Sequence, residues 1–257
     1  MNIFKRQFLK LNFFLKTNAP IWVIWSYYRL HNLHKLSNDR LAYVQHRDAF
    51  RNECQSFKFD NDWFTDNIPT WLTAFKENGF QENRAINVLE IGSWHGMSAI
   101  FILGYFKNAR LTCVDTWDGA DEHRSHDASD KSILSEIENT FDINIQEYSE
   151  RVTKHKCTSY EFFNNFFEID KFDLIYVDGS HHSDDVIVDA IKAFEMLKTD
   201  GVMILDDYFW HYYKNEIDNP AGAINSFLRL KKHQLKILCF DYQLVVKKTS
   251  SSVRWRE

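Results

Sequence analysis

The stretch from Asn87 to Leu103, NVLEIGSWHGMSAIFIL, constrains the fold more than any other part of this sequence. It begins with the apolar residues of a buried parallel strand, which includes Glu90 and Ile91 at its end. Gly92 and Gly96 then bracket a tight turn, after which the apolar residues follow helical spacing. A strand, a glycine turn and a helix N-terminus in this order present free backbone N–H groups and the positive end of a helix dipole to a ligand.

The spacing of this turn indicates which ligand it suits. A dinucleotide site has the pattern G-x-G-x-x-G, in which the second glycine lets the pyrophosphate approach the backbone. This chain has Trp94 at that place, where the side chain would block a phosphate. A ligand without phosphate that carries a carboxylate, an amine and an adenosine fits better, and S-adenosylmethionine is such a ligand. For the turn taken alone, two glycines of purely steric use are the alternative.

The next strand supports the cofactor prediction. Residues Leu111–Asp115, LTCVD, form a short apolar strand that ends in a carboxylate 25 residues after Glu90. An acidic residue at this point of a βαβ unit accepts hydrogen bonds from ribose hydroxyls. Asp115 could instead cap the following loop, but the two features together favour a cofactor site.

Composition describes one sizeable globular unit with an appendage. The 257 residues are 44% hydrophobic and 26% charged, which is ordinary for a folded protein. The net charge of −5 argues against a general nucleic-acid binder, so we expect no nucleic-acid partner. Four cysteines lie far apart without a C-x-x-C pair, which fits neither a disulfide framework nor a zinc site. A reducing cytoplasm is the simplest compartment.

The N-terminal region differs in composition from the rest. Residues 1–40 carry seven Lys/Arg and one acidic residue, interleaved with eight aromatic residues. The longest uncharged run, Thr17–Tyr28, has 12 residues and is too short to span a bilayer. Three roles stay open: a helical cap on the domain, an arm that joins two subunits, or peripheral contact with a membrane. We place a domain boundary near residue 60, so that residues 1–59 form a basic, aromatic-rich helical extension and residues 60–257 the main domain.

Downstream of this boundary, buried strands alternate with helices. Strands are predicted at Val152–Cys157, Phe172–Val177 and Gly201–Leu205, with helical stretches between them. Two final strands, Leu235–Phe240 and Gln243–Lys247, close the sheet as a hairpin. This alternation predicts an α/β fold with a doubly wound, Rossmann-like, mostly parallel sheet of seven strands and a C-terminal antiparallel hairpin.

Acidic residues mark the ends of the fourth and fifth strands. Asp178 follows the fourth strand, and Asp206 and Asp207 follow the fifth. In such a sheet the ligand crevice lies outside the carboxyl ends of the strands, and three converging carboxylates repel one another unless a cation lies among them. We therefore predict all three as ligands of Mg²⁺ or Mn²⁺, which would lower the pKa of an acceptor hydroxyl to be methylated. Capping of the turn and hydrogen bonds to backbone amides are the alternative.

A histidine lies beside these carboxylates. His181 stands three residues after Asp178 and suits a general base, a metal ligand or a turn residue; its near-neutral pKa favours the first role. We predict His181 and Asp178 as the catalytic residues and regard His182 as the less favoured neighbour. The loop of residues 116–130, dense in Asp and His, is either a solvated loop or a further contact to a metal or acceptor.

These motifs together resemble the class I S-adenosylmethionine-dependent methyltransferases, and within them the metal-dependent sugar O-methyltransferases of the macrocin O-methyltransferase-like branch. The resemblance covers roughly Phe59–Lys248 and rests on VLEIGSWHGMSAIFIL, LTCVDTWDG, FDLIYVDGSHHSDDV and LKTDGVMILDDYFW. It implies methylation of a hydroxyl on a sugar or polyhydroxylated small molecule, with the three strand-end aspartates as Mg²⁺ ligands. Some relatives use as base a second Asp where this chain has Ser180, and others have a histidine at the position of His181.

The cofactor-binding residues expected on these grounds lie in the glycine turn, at the end of the second strand and in the polar turn after the third, where an adenine would rest: Glu90, Gly92, Ser93, Gly96, Asp115, Thr158 and Ser159. Two other function classes stay open. One is a cofactor-binding module or scaffold without catalysis, against which the intact strand-end aspartates count. The other is a nicotinamide oxidoreductase, which Trp94 opposes.

Overall fold

A seven-stranded sheet forms the centre of the computed structural model, which describes residues 3–35, 39–119 and 131–251. The strand order is β3-β2-β1-β4-β5-β7-β6, in which β1 to β5 run parallel and β7 runs antiparallel to both β5 and β6. The predicted α/β sheet with its antiparallel C-terminal hairpin is therefore confirmed. The strands are β1 (Asn87–Ile91), β2 (Arg110–Asp115), β3 (Val152–Lys156), β4 (Phe172–Val177), β5 (Leu197–Leu205), β6 (Leu235–Phe240) and β7 (Leu244–Lys248).

Helices cover both faces of this sheet. Helices α3 to α6 contribute to the core on one face, and α1, α2 and α7 to α9 contribute to the core on the other. The helices are α1 (Ile3–Lys16), α2 (Ile21–Lys35), α3 (Arg40–Glu53), α4 (Ile68–Glu77), α5 (Met97–Tyr105), α6 (Lys131–Ile145), α7 (Ser159–Phe166), α8 (Ser183–Met196) and α9 (Pro220–Lys231).

The central strand β4 shows why the sequence favours this layering. All six of its residues are buried, as a parallel strand with both faces covered requires. Its side chains alternate between the two cores, with Ile175 on one face and Leu174 and Tyr176 on the other. The bounds of β4 match the sequence prediction, whereas β5 begins at Leu197, four residues before the predicted Gly201.

The order of the strands places the ligand crevice. β1 lies between β2 and β4, so the chain winds outwards in opposite directions from the boundary between β1 and β4. Doubly wound sheets bind ligands at the carboxyl ends of their strands beside such a switch point. The glycine turn after β1 and the acidic segment after β4 both begin there.

The N-terminal helices α1 and α2 pack on the domain. Phe14, Val23 and Tyr27 are at most 2% exposed and share a core with the sheet. The Phe14 ring lies 5.2 Å from that of Tyr27 and 6.2 Å from that of Phe240, between ring centroids. This packing fits the role of a helical cap on the domain for the inner face of these helices. The domain boundary near residue 60 stays a prediction. Among the described residues, no helix combines the length and apolarity that crossing a bilayer requires.

Candidate active site

The turn after β1 lies in close contact with the end of β4. Gly92 has a φ of +85°, and a Cβ atom there would lie 1.9 Å from the Asp178 carbonyl oxygen. The Asp178 N–H donates a 2.8 Å hydrogen bond to the Ile91 carbonyl. Gly96, with a φ of +84°, is the N-cap residue of α5. Glycine at residue 92 is therefore a steric requirement for bringing the two strand ends together.

A buried carboxylate supports this turn from below. Glu90 is 0% exposed and accepts hydrogen bonds from the hydroxyls of Ser93, at 2.7 Å, and Ser98, at 2.6 Å. Burial raises the pKa of Glu90 to about 7, and the hydrogen bonds from the two hydroxyls oppose this rise. The side chains of Glu90 and Ser93 thus hold the turn in shape from within the protein. Their assignment as cofactor-binding residues stays a prediction.

Asp115 joins the turn after β1 to the end of β2. Its Oδ2 accepts hydrogen bonds from the backbone N–H groups of Ser93, at 2.8 Å, and Trp94, at 2.9 Å. Its Oδ1 accepts one from the N–H of Trp117, at 2.7 Å. A carboxylate oxygen can accept two hydrogen bonds, so Oδ1 keeps capacity for a ribose hydroxyl. Capping of the loop and binding of a ribose are therefore compatible roles for the Asp115 side chain, although the sequence alone presents them as alternatives.

The polar turn after β3 begins α7. Thr158 forms a capping box with Glu161, in which each side chain accepts a hydrogen bond from the backbone N–H of the other residue. Ser159 hydrogen-bonds to Asp189 of α8, whose buried Oδ1 has no hydrogen-bond partner among the described residues. Burial raises the pKa of Asp189 to about 7. Thr158 and Ser159 thus have structural roles at the edge of the crevice, and their contact with an adenine stays a prediction.

Three side chains converge beyond the ends of β4 and β5. Asp178, His181 and Asp207 each offer one ligand atom, and these atoms lie within 4.8 Å of one another. His181 Nε2 lies 2.6 Å from Asp207 Oδ2. Burial, and then the charges of Asp206 and Asp207, raise the pKa of Asp178 well above its ordinary value. Two carboxylates and an imidazole, all partly exposed, form a donor set for a divalent cation, in which the carboxylates suit Mg²⁺ or Mn²⁺ and the imidazole suits transition metals.

Asp206 lies outside this group, although the sequence placed it among the metal ligands. Its carboxylate accepts hydrogen bonds from the Tyr176 hydroxyl and, at 2.6 Å, from Gln243 Nε2. The Tyr176 hydroxyl also lies 2.8 Å from Asp178 Oδ2, so it bridges the two carboxylates. Burial raises the pKa of Asp206 to about 7. The Asp206 side chain thus lies beneath the three converging groups and supports them. Its role as a metal ligand stays a prediction.

Asp207 differs from Asp206 in its backbone conformation. Asp207 has a φ of +58°, in the left-handed region that few residues other than glycine adopt. Its Oδ1 accepts a 2.8 Å hydrogen bond from the Tyr242 hydroxyl, and the charge of Asp207, after burial, raises the pKa of Tyr242. A strained backbone held by specific contacts is common at functional sites.

Aromatic rings beside this group were not assigned a role from the sequence. The ring of Trp210 lies 4.5 Å from that of His181, and the ring of Tyr213 lies 4.1 Å from that of His182, between centroids. Tyr212 contacts both Trp210 and Tyr213. The signal was the run YFWHYY directly after Asp207. The possible metal or acceptor contacts of the loop at 116–130 fall largely on residues 120–130, outside the described residues.

Comparisons with known proteins identify a domain in this chain and a shared fold. The family described as "Methyltransferase domain" matches residues 89–208, from the middle of β1 to the start of the aromatic run. None of the curated proteins is significantly similar to this chain.

Three solved structures illustrate the shared fold. A Corynebacterium glutamicum protein is 15% identical with a TM-score of 0.51, over 81% of this chain and 91% of its own. A Klebsiella pneumoniae protein is 13% identical with a TM-score of 0.51, over 87% of this chain and 97% of its own. Its O-methyltransferase activity has been inferred, not measured. MycE of the mycinamycin biosynthetic pathway is 15% identical with a TM-score of 0.51, over 77% of this chain and 53% of its own. These likenesses concern the fold.

Proposed function

We propose that this chain, whose residues 89–208 match a methyltransferase domain, is a class I S-adenosylmethionine-dependent methyltransferase that methylates a hydroxyl group of a sugar or polyhydroxylated small molecule with the help of a divalent cation. One observation carries the proposal: the ligand atoms of Asp178, His181 and Asp207 converge within 4.8 Å at the crevice beside the glycine turn. The fold is shared with MycE, whose structure contains Mg and S-adenosylhomocysteine, and Mg²⁺ is for that reason the first ion to test.

The cofactor and the cation have a defined chemical contribution. When bound, S-adenosylmethionine supplies an electrophilic methyl group, and Mg²⁺ or Mn²⁺ held by Asp178, His181 and Asp207 lowers the pKa of an acceptor hydroxyl. Free of a metal, His181 is the group best placed to receive the hydroxyl proton, since Asp207 lies 2.6 Å from its Nε2 and orients the ring. The products are a methyl ether, S-adenosylhomocysteine and one proton.

The rings of Trp210 and Tyr213 give the acceptor a surface to pack on. They lie against His181 and His182, within reach of a molecule that approaches the acidic group. Sugars present apolar C–H faces together with neighbouring hydroxyls, so an aromatic surface beside carboxylates suits both parts of such a molecule. This arrangement supports a polyhydroxylated acceptor over a purely apolar one.

A metal-binding experiment tests the proposal before the acceptor is known. Mn²⁺ is titrated into protein saturated with S-adenosylhomocysteine, and free Mn²⁺ is measured by electron paramagnetic resonance. We expect one bound ion that Mg²⁺ displaces. Asp207→Asn should weaken binding at least about tenfold, because the variant removes a negative charge that lies against the cation. Asp142→Asn, which changes an exposed aspartate bound to Lys154, is the matched control.

The Asp206→Asn variant distinguishes a structural role of Asp206 from a role as a metal ligand. If Asp206 has the structural role, this variant should lower the melting temperature of the protein and weaken Mn²⁺ binding less than Asp207→Asn does. Transfer of labelled methyl from S-adenosylmethionine to a panel of sugars and polyols then tests the reaction class, with the methyl ether identified by NMR. Absence of Mn²⁺ binding, together with activity that persists in EDTA, would contradict the metal role and leave His181 as the group that activates the hydroxyl.

A further inference from the structure

The two N-terminal helices form an antiparallel hairpin with an inner and an outer face. The inner face carries Phe14, Val23 and Tyr27, which are buried on the domain. The outer face is apolar as well. Phe8, Leu11 and Leu15 of α1 follow i, i+3, i+7 spacing along one exposed side of the helix, and Ile21 and Trp25 of α2 lie opposite Val23 and Tyr27. Exposure of these outer residues is 69%, 41%, 63%, 86% and 61% respectively.

This outer row differs from ordinary surface residues. Single exposed apolar side chains are normal, whereas a contiguous set on one face marks an interaction surface. Lys16 is exposed at the C-terminal end of α1. In α2 the Arg29 guanidinium lies 5.3 Å from the centroid of the exposed Trp25 ring. Aromatic and basic side chains thus stand side by side on the outer face.

Charge indicates what this face binds. Residues 3–35 contain none of the 36 Asp/Glu of the chain and six of its 31 Lys/Arg, although the whole chain has a net charge of −5. A second copy joined through the same face would bring two identical faces together, each with basic and without acidic side chains, because a two-fold interface uses the same surface on both subunits. A negatively charged surface has no such repulsion.

We propose that the outer face of the α1–α2 hairpin binds the surface of an anionic phospholipid membrane. Phe8, Leu15, Ile21 and Trp25 would enter the headgroup region while Lys and Arg neutralise lipid charge, as in amphipathic helices that lie in the interface. Neither helix is long and apolar enough to cross the bilayer, which fits contact at the surface. The proposal is independent of the acceptor's identity.

The hairpin also contacts the segment that carries the acidic group. The ring of Phe13 lies 5.2 Å and that of Phe14 5.8 Å from the ring of Phe209, between centroids. Phe209 follows Asp207 by two residues. Membrane binding would therefore hold the candidate active site one layer of side chains away from the lipid-bound helices.

Vesicle binding tests the proposal with the full chain. Protein is sedimented with vesicles of phosphatidylcholine alone, or of equal parts phosphatidylcholine and phosphatidylglycerol. We expect binding to the anionic vesicles that is lost at roughly 0.5 M salt, where charges are screened. The double variant Lys16→Gln/Arg29→Gln should weaken partitioning about 25-fold, from about fivefold for each charge. The triple variant Phe8→Ser/Leu15→Ser/Trp25→Ser should weaken it at least about tenfold.

Matched controls lie outside the hairpin. Leu230→Ser changes a 68% exposed side chain of α9, and Lys232→Gln changes an exposed lysine beside it; neither should alter vesicle binding. Melting curves and S-adenosylhomocysteine affinity of all variants should match the unmodified protein, which separates loss of docking from loss of the fold. If the triple variant does not fold, the double charge variant decides alone.

Two results would overturn the proposal. One is binding that is equal for neutral and anionic vesicles, or unaffected by both variant sets. The other is absence of binding to the anionic vesicles. If light scattering then shows a dimer that the triple variant converts to monomers, the outer face would be assigned to another copy of this chain.

Discussion

His181 Nε2 and Asp207 Oδ2 lie 2.6 Å apart and join the loop after β4 to the turn after β5. Tyr242, next to β7, donates a hydrogen bond to the other oxygen of Asp207. The pair thus unites three parts of the chain, and the metal coordination or proton transfer proposed for this site depends on it.

Replacement of His181 should change the pH dependence of methyl transfer. His181→Gln keeps a hydrogen-bond donor for Asp207 but provides no basic nitrogen. We expect the rate at neutral pH to fall about 10²- to 10⁴-fold, and to recover partly as alkali deprotonates the acceptor. The measurement is a pH–rate profile at saturating S-adenosylmethionine in EDTA, where His181 is free of a metal. A profile parallel to that of the unmodified enzyme would rule out His181 as the base.

Gly92→Ala should destabilise the protein strongly. The new Cβ would lie 1.9 Å from the Asp178 carbonyl oxygen, at a φ of +85° that side chains disfavour. We expect the free energy of unfolding to fall by at least about 2 kcal/mol, from strain and displacement of the strand ends. Gly222→Ala is the control, because a Cβ atom there meets nothing within 4 Å in α9, and it should be neutral or stabilising. Equal denaturation midpoints for the two variants would contradict this account.

Asp115→Asn should weaken cofactor binding and loosen the turn. The amide keeps one oxygen acceptor, whereas the carboxylate serves the N–H groups of Ser93, Trp94 and Trp117. Hydrogen bonds to charged groups contribute about 1.5–3 kcal/mol, so S-adenosylhomocysteine affinity should fall at least about tenfold. Calorimetric titration gives the affinity, and thermal melting shows how much comes from the turn itself. Unchanged affinity would place the ribose elsewhere.

Glu90→Gln should stabilise the protein in a pH-dependent way. The folded chain holds the Glu90 proton up to a pKa of about 7, whereas the unfolded chain loses it near the ordinary value of 4.5. Between these values the folded state binds more protons, so the stability contribution falls as pH rises and is lost above the folded pKa. The gain in free energy of unfolding should be small at pH 4.5 and reach at most about 3 kcal/mol at pH 8. A gain that is the same at both pH values would contradict the buried charge.

The sequence by itself determined the sheet and the place of the crevice. The strand at Phe172–Val177 was predicted with its observed bounds, because a short apolar run between polar segments is a local signal. Gly92 was recognised as part of a tight turn for the same reason. The order of strands and helices then restricted the topology to a doubly wound sheet, whose ligands bind at the carboxyl ends of the strands.

Only the tertiary structure decided what each acidic residue does. Asp206 and Asp207 are adjacent and chemically identical, yet one bonds Tyr176 and Gln243 beneath the site and the other contacts His181 in it. Their different roles arise from one left-handed backbone conformation at Asp207 and from partners that are distant in the chain. Such partners meet only when the sheet has formed, because hydrogen bonds between distant side chains leave no periodic pattern in the sequence.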